Sequence, residues 1–252
     1  MVGLAPSARL LEAVLRPRRE VARLEWLDRT DGTPAELAGN LADMARLNRI
    51  GPIRTLLAFV APLVQHHRGP EPLTVLDLGT GVGDIPVALT TWARAKGVPL
   101  RVVGLDSKPG ILACARARVL AFPEIGLVTG EALAPPVRPG AVDLVICSLM
   151  LHHLPDRVVG ELLGRMAEIA RLGFVVSDLR RSWAAWAAAW LLTRVTSRNR
   201  MTRHDGPLSV RRAYTRRELR RLAATAGVPG ITWHHAIAFR VIGVYVRSDR
   251  QH

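Results

Sequence analysis

The sequence predicts an open α/β fold with a mostly parallel sheet covered by helices on both faces. Three observations lead there. Short apolar runs alternate with helical patterns from residue 73 to about 180. A glycine-rich turn follows the first of those runs, and the last two strand-like segments are joined tightly enough to pair antiparallel. Such alternation is the signature of strands buried on both faces by crossover helices.

The first 70 residues read as helical. Thr33-Pro34-Ala35-Glu36 supplies a cap, a proline for the first turn and a glutamate three residues on. Leu37, Leu41, Met44 and Ala45 follow with helical spacing, Gly51-Pro52 breaks the pattern, and Leu56, Phe59, Val60 and Leu63 form a second apolar face. His66 to Glu71 reads as a linker, so residues 1–70 are expected to be a helical extension capping the substrate, with 71–252 the main domain. Leu73–Gly79 reads as a strand, and a helix runs from Ile85 to about Lys96. Leu100–Leu105 is a strand ended by Asp106, and Pro109–Leu120 a helix. Strands at Ile125–Val128, Val142–Ser148 and Phe174–Ser177 surround a helix from Asp156 to about Arg171. An insertion at about 180–213 precedes a capping box, Thr215-Arg216-Arg217-Glu218, whose helix ends at Gly227. Ile231–Ala238 and Val241–Val246 close the sheet as a hairpin.

Composition narrows the classes. Half of the 252 residues are apolar, and no run reaches the roughly 18 residues of a membrane span. Cys114 and Cys147 lie apart and show neither metal nor disulfide spacing, so a reducing cytoplasm is expected, without a signal peptide. The formal charge of +14 could draw nucleic acid or an anionic surface. The cations are almost all Arg, with Lys only at 96 and 108, a bias that genomic base composition produces without any partner.

The turn reads Asp77-Leu78-Gly79-Thr80-Gly81-Val82-Gly83-Asp84. Glycines allow a sharp bend and close approach to a ligand. A pyrophosphate wants helix-terminal amides and no anions nearby, whereas Asp77 and Asp84 flank this turn; they suit an ammonium and a sulfonium, as in S-adenosyl-L-methionine. Asp106, with Ser107, ends the next strand where an acid can accept from ribose hydroxyls. Gly130-Glu131-Ala132 places a carboxylate within reach of an adenine amino group, and Ser148 ends the fourth strand.

The order Val-Leu-Asp-Leu-Gly-Thr-Gly-Val-Gly, Gly-Leu-Asp, Gly-Glu-Ala and Val-Asp-Leu-Val-Ile-Cys-Ser-Leu-Met-Leu-His-His-Leu-Pro-Asp resembles the class I small-molecule methyltransferases, nearest the quinone-biosynthesis type, over residues 73–180. That resemblance implies a Rossmann-like seven-stranded sheet with a terminal antiparallel hairpin and cofactor contacts from Gly79, Gly81, Gly83, Asp106, Glu131 and the segment around Ser148. Glu131 departs from the family's usual Asp. Residues 41–49 and 204–212 are similar to bacterial methyltransferases of secondary metabolism, which implies phenolic or polyketide-like acceptors, with O-methylation favoured over C-methylation.

Methyl transfer to a hydroxyl needs a group to take its proton. His152 and His153 follow the fourth strand and are the catalytic candidates; adjacent residues diverge, so one at most is expected to face the site. Trp183, Trp186 and Trp190 share a helical face and read first as core, with a lid or a peripheral membrane contact as the alternative. His204-Asp205 reads first as a solvated loop, with reach into the pocket as the alternative, and Arg216, Arg217, Arg220 and Arg221 as a solvated face. Metal ligation is not expected, because His66-His67 and His234-His235 are adjacent pairs that cannot share one ion. Against RNA methylation stands the absence of an Asn/Asp-Pro-Pro-aromatic motif at Ser148–Leu151. A non-catalytic protein that binds S-adenosylmethionine is the third reading; neither acceptor nor oligomeric state is legible.

Overall fold

The computed structural model describes residues 17–247 except Thr30, Asp31, Ile50, His66, Arg68 and Pro70. Part of the expected linker at 66–71 therefore lies outside the described residues, as does the start of the N-terminal extension. Seven strands form one sheet in the order β3-β2-β1-β4-β5-β7-β6. They are β1 (Leu73–Leu78), β2 (Leu100–Asp106), β3 (Ile125–Thr129), β4 (Val142–Ser148), β5 (Ala170–Leu179), β6 (Thr232–Ala236) and β7 (Arg240–Val246). The first five run parallel; β7 pairs antiparallel with both β5 and β6. The expected sheet and hairpin are thus present.

Side-chain alternation along the strands sorts the core into two faces. Leu76, Val145, Cys147, Phe174 and Val176 meet α5 (Asp156–Ile169) and α8 (Arg216–Thr225). Val75, Val102, Leu144, Ile146 and Val175 meet α2 (Pro52–Val64) and α3 (Asp84–Lys96). Both faces are covered, which is why β4 is apolar almost throughout. Asp143 is the exception: it accepts from the Thr74 N–H at 2.8 Å and pairs with Arg171, so its work is to join β1, β4 and β5.

Strand order reverses between β1 and β4, and their carboxyl ends open a crevice there. Over it lie α1 (Pro34–Arg49) and an insertion of two helices, α6 (Trp183–Thr196) and α7 (Arg200–Arg212). The helix α4 (Pro109–Val119) completes the set. Both expected capping boxes are formed, at Thr33/Glu36 and Thr215/Glu218. A buried polar knot ties α1 to the insertion: Asp43 accepts from the hydroxyls of Thr202 and Ser197, and Asn40 donates to Thr202 at 3.3 Å.

Three sequence expectations need correction. Residues 17–25 are not helical; they form an extended strap leading into a single tight turn, Trp26–Asp28. Arg212 holds the strap by donating to the Arg23 carbonyl, and Arg181 by donating to the Pro17 carbonyl at 2.9 Å. His204-Asp205 is not a solvated loop but part of α7, capped by Asn199; Asp205 is buried and accepts the N–H groups of Trp26 and Leu27 at 2.9 and 3.0 Å. The tryptophan stripe is not core: Trp183 and Trp190 are 47% and 41% exposed. The opposite, small face of α6 packs inward instead, because Gly206 on α7 lets Thr193 approach to where a Cβ would sit 2.6 Å from its Cγ2.

Candidate functional site

The glycine turn is built by backbone geometry. Gly79, Gly81 and Gly83 all have positive φ, and the N–H groups of Gly79 and Thr80 donate to the Leu105 carbonyl at 2.8 and 3.0 Å. A side chain at Gly79 would be strained there and would meet Met150 Sδ at 2.8 Å. Asp106 fastens the turn from the neighbouring strand: one carboxylate oxygen accepts the Gly81 N–H at 3.0 Å and the other the Lys108 N–H at 3.0 Å.

A cavity of about 310 Å³ opens at this turn. Gly79, Thr80, Gly81, Asp84, Asp106, Ser107, Gly130, Glu131, Ala132 and Ser148 all line it. So do Asp28, Asn48, Lys108, Met150 and His153. Carboxylates therefore outnumber cations on its walls, and Lys108 turns its ammonium to the Leu27 carbonyl at 2.7 Å and to Asp28. Asp84 accepts from Asn48 at 2.9 Å, which fixes α1 against the start of α3.

Two of the expected cofactor residues stand apart from this wall. Gly83 caps α3 in the left-handed conformation and packs toward Val119. Asp77 is 1% exposed beneath the turn, and neither of its carboxyl oxygens has a hydrogen-bond partner. Burial pushes its carboxyl up to about 8, with Asp84 and Asp106 adding to the effect. At neutral pH it is an uncharged acid. The anions facing the cavity are Asp28, Asp84, Asp106 and Glu131, rather than Asp77.

A second cavity, of about 400 Å³, lies between α1, α6, α7 and the turn Leu151–His153. Met44, Leu47, Ala185, Ala188, Leu192, Val210 and Phe239 make it mostly apolar. It shares Leu27, Met44, Asn48, Leu149 and His153 with the first, so the two adjoin.

Its polar end is formed by Glu25, His152 and His153. The expectation that at most one histidine would face the site is corrected: both line this cavity, because the tight turn stacks their rings 4.2 Å apart. Each is oriented by an acid. His152 Nδ1 lies 2.6 Å from Asp178 Oδ1, and His153 Nδ1 lies 2.7 Å from Asp28 Oδ2. Against the opposing pull of burial, contact with His152 and Arg240 holds Asp178 below the usual carboxylate range, and contact with His153 and Lys108 holds Asp28 at about 2. Glu25 reaches in from the strap, 2% exposed, and burial raises its carboxyl to about 7. Arg212 locks the arrangement by donating to the His152 and His153 carbonyls at 3.3 and 3.0 Å.

Sequence reasoning missed Asp178, Asp28, Asn48 and Glu25. Asp178 carried a usable signal, an acid just past the strand Phe174–Ser177. Glu25 carried none, since the strap has no periodicity and its partners lie more than 120 residues away.

Comparison with known proteins fixes the context. Residues 75–173 match the family model described as a methyltransferase domain. Over that stretch the chain is similar to methyltransferase domains. A 2-phytyl-1,4-naphtoquinone methyltransferase of Thermosynechococcus vestitus is 44% identical over 87 residues, 34% of this chain and 37% of that protein. A demethylmenaquinone methyltransferase of Bacillus licheniformis is 30% identical over 113 residues, 45% of this chain and 47% of that protein. The chain thus spans less than half the length of these curated relatives. Among solved structures, the magnesium protoporphyrin IX methyltransferase of Synechocystis PCC 6803 with bound SAM superposes with a TM-score of 0.57 at 18% identity, covering 91% of this chain and 100% of that one. A CurJ carbon methyltransferase gives a TM-score of 0.61 at 12% identity, over 87% and 62%. These place the sheet and its helices in the methyltransferase fold. The matched segment ends inside β5, so the strap, α1, α6 and α7, which wall the second cavity, lie outside the family match.

Proposed function

We propose that this chain transfers a methyl group from S-adenosyl-L-methionine to a small, apolar, phenol-like acceptor. The observation that carries the reading is the junction of the two cavities at Leu149 and His153: one acid-lined and glycine-walled, the other apolar with a histidine end. When bound in the first, the cofactor supplies an activated methyl on a sulfonium. Asp106 accepts from its ribose, Glu131 from its adenine, and the anionic wall around Asp84 offsets its positive charge. Leu192, Met44 and Phe239 hold the acceptor and exclude water. His152 and His153 are each kept in one tautomer by an acid, and His153, at the junction of the two cavities, takes the proton of the acceptor hydroxyl. O-methylation follows from that arrangement; an enol carbon at the same position would give C-methylation.

The test is turnover of the full chain with labelled S-adenosylmethionine on a panel of alkyl-phenols and quinols. Methylated product that depends on Asp178 supports the reading; no product from any of them, with cofactor retained, supports a binding protein without catalysis.

A peripheral membrane contact fits the same reading. The outer face of α6 exposes Trp183, Trp190, Leu191 and Val195 beside Arg194 and Arg198, while its inner face walls the acceptor cavity. Tryptophan and arginine together on an exposed helix suit an anionic bilayer surface. Co-sedimentation with phosphatidylglycerol vesicles should fall severalfold in the Trp190→Ser and Leu191→Ser double variant; equal sedimentation of both proteins would contradict it. Among the described residues, no single helix is long and apolar enough to cross a membrane.

A further inference from the structure

We propose that Glu25, His152 and His153 form a binding site for a divalent transition-metal ion of the zinc class. The argument starts from geometry. Asp178 Oδ1 lies 2.6 Å from His152 Nδ1 and Asp28 Oδ2 lies 2.7 Å from His153 Nδ1, so each acid accepts the Nδ1–H of its histidine. In the neutral imidazole that leaves each Nε2 with a lone pair. They point at the Glu25 carboxyl, 3.7 Å from Oε1 for His152 and 3.8 Å from Oε2 for His153. Acceptors therefore face acceptors across a buried gap. Glu25 Oε1 has no hydrogen-bond partner at all, although its residue is 2% exposed. A buried carboxyl oxygen left so is costly, and a single proton on Glu25 could satisfy only one of the two imidazoles.

A cation at the centre satisfies all three. The ligand atoms lie within 4.8 Å of one another. Two ligands on one zinc-like ion sit about 3.3 Å apart, from metal–ligand distances of about 2.0–2.2 Å, so the histidine–glutamate gaps close by about half an ångström. Imidazole nitrogen and carboxylate oxygen are the donors that such ions prefer. The second shell is also in place: a histidine that binds metal through one nitrogen commonly donates the other N–H to a carboxylate, which is what Asp178 and Asp28 accept. Arg212 Nε lies 3.7 Å from Glu25 Oε1, while its Nε, Nη1 and Nη2 each donate to a backbone carbonyl. Asp205 adds negative charge beside Glu25.

Three protein ligands leave positions open toward the apolar cavity, the pattern of a working rather than a structural ion. On the reading of that cavity as the acceptor site, an ion held there would bind the acceptor oxygen at its open position and lower its pKa, so that the hydroxyl proton would be given up to solvent as the acceptor binds rather than to an imidazole.

The experiment titrates cobalt(II) chloride into chelator-treated full-length protein and follows visible d–d absorption. The expected result is one strongly absorbing cobalt per chain, lost in Glu25→Gln and bound about 10–100-fold more weakly in Asp28→Asn. Glu25→Gln keeps the side chain's shape and lies outside the first cavity, so its S-adenosylhomocysteine affinity should equal wild type and show that it is folded. Equal cobalt binding by wild type and Glu25→Gln, or none by either, overturns the site. Cobalt failing while chelated enzyme still methylates leaves the imidazole base standing. Cobalt binding without S-adenosylhomocysteine binding keeps the metal site and removes the methyltransferase reading.

Discussion

Asp77 shows how one residue can be chemically visible in sequence and still be misread. Its place before the glycine turn suggested a second anion facing the ligand; burial instead makes it a neutral acid. The sign of its linkage follows. Folded Asp77 keeps its proton to about 8, whereas an unfolded aspartate loses it near 4. Between those values the folded state binds more protons, so stability falls as pH rises through that window and levels off above it. Asp77→Asn removes the cost, and its denaturation midpoint should therefore exceed that of wild type at pH 8.5 and converge with it at pH 4; urea melts at the two pH values check this. Asp106 instead faces the cavity, each carboxylate oxygen accepting one backbone amide and keeping a lone pair for a ribose hydroxyl. Asp106→Ala deletes a charged acceptor worth about 1.5–3 kcal/mol, so S-adenosylhomocysteine affinity should drop about 10–100-fold by calorimetry. Asp178→Asn should leave that affinity intact and lower kcat, since Asp178 hydrogen-bonds to His152 and the Leu179 N–H and does not line the first cavity. A loss of affinity equal to the loss of rate would place Asp178 in cofactor binding instead.

At the scale of elements, the prediction concerns the small-residue seam between α6 and α7. A Cβ at Gly206 would sit 2.6 Å from Thr193 Cγ2, so Gly206→Ala should part the two helices and cost about 1–3 kcal/mol. Gly206→Ala with Thr193→Ala should recover most of it; melting temperatures of the four proteins decide. That seam also explains what the sequence concealed. Strands β1, β2 and β4 and the capping boxes at Thr33 and Thr215 were legible because periodicity and cap chemistry are local. The glycine turn and Asp106 were legible as a group because strand–turn–helix order fixes their proximity. The outward turn of Trp183 and Trp190 was not, because a helix with tryptophans on one side and alanines on the other does not say which side faces in. Here the small side wins by approaching α7 closely. The strap was hidden for a different reason: its conformation is set by Arg181, Arg212 and Asp205, which meet it only in the tertiary structure.

For the whole molecule, the formal +14 charge and the two adjoining cavities make different claims. Charge alone predicts association with any polyanion, weakening steeply as salt rises. The cavities predict a saturable site whose affinity depends little on salt, because its charges are shielded within the fold. The site is assembled from segments far apart in the chain: the strap and α1, the glycine turn, the histidine turn and the insertion all contribute to its walls. The family match covers the glycine turn and the histidine turn but not the strap, α1 or the insertion, which is why the cofactor side was readable and most of the acceptor side was not.

Calorimetric titration of the full chain with S-adenosylhomocysteine is the most direct measurement. The account predicts one site per chain with a Kd on the order of micromolar, weakened at least tenfold in Asp106→Ala and little changed by raising salt. An absence of binding, or binding that Asp106→Ala leaves untouched, would contradict it.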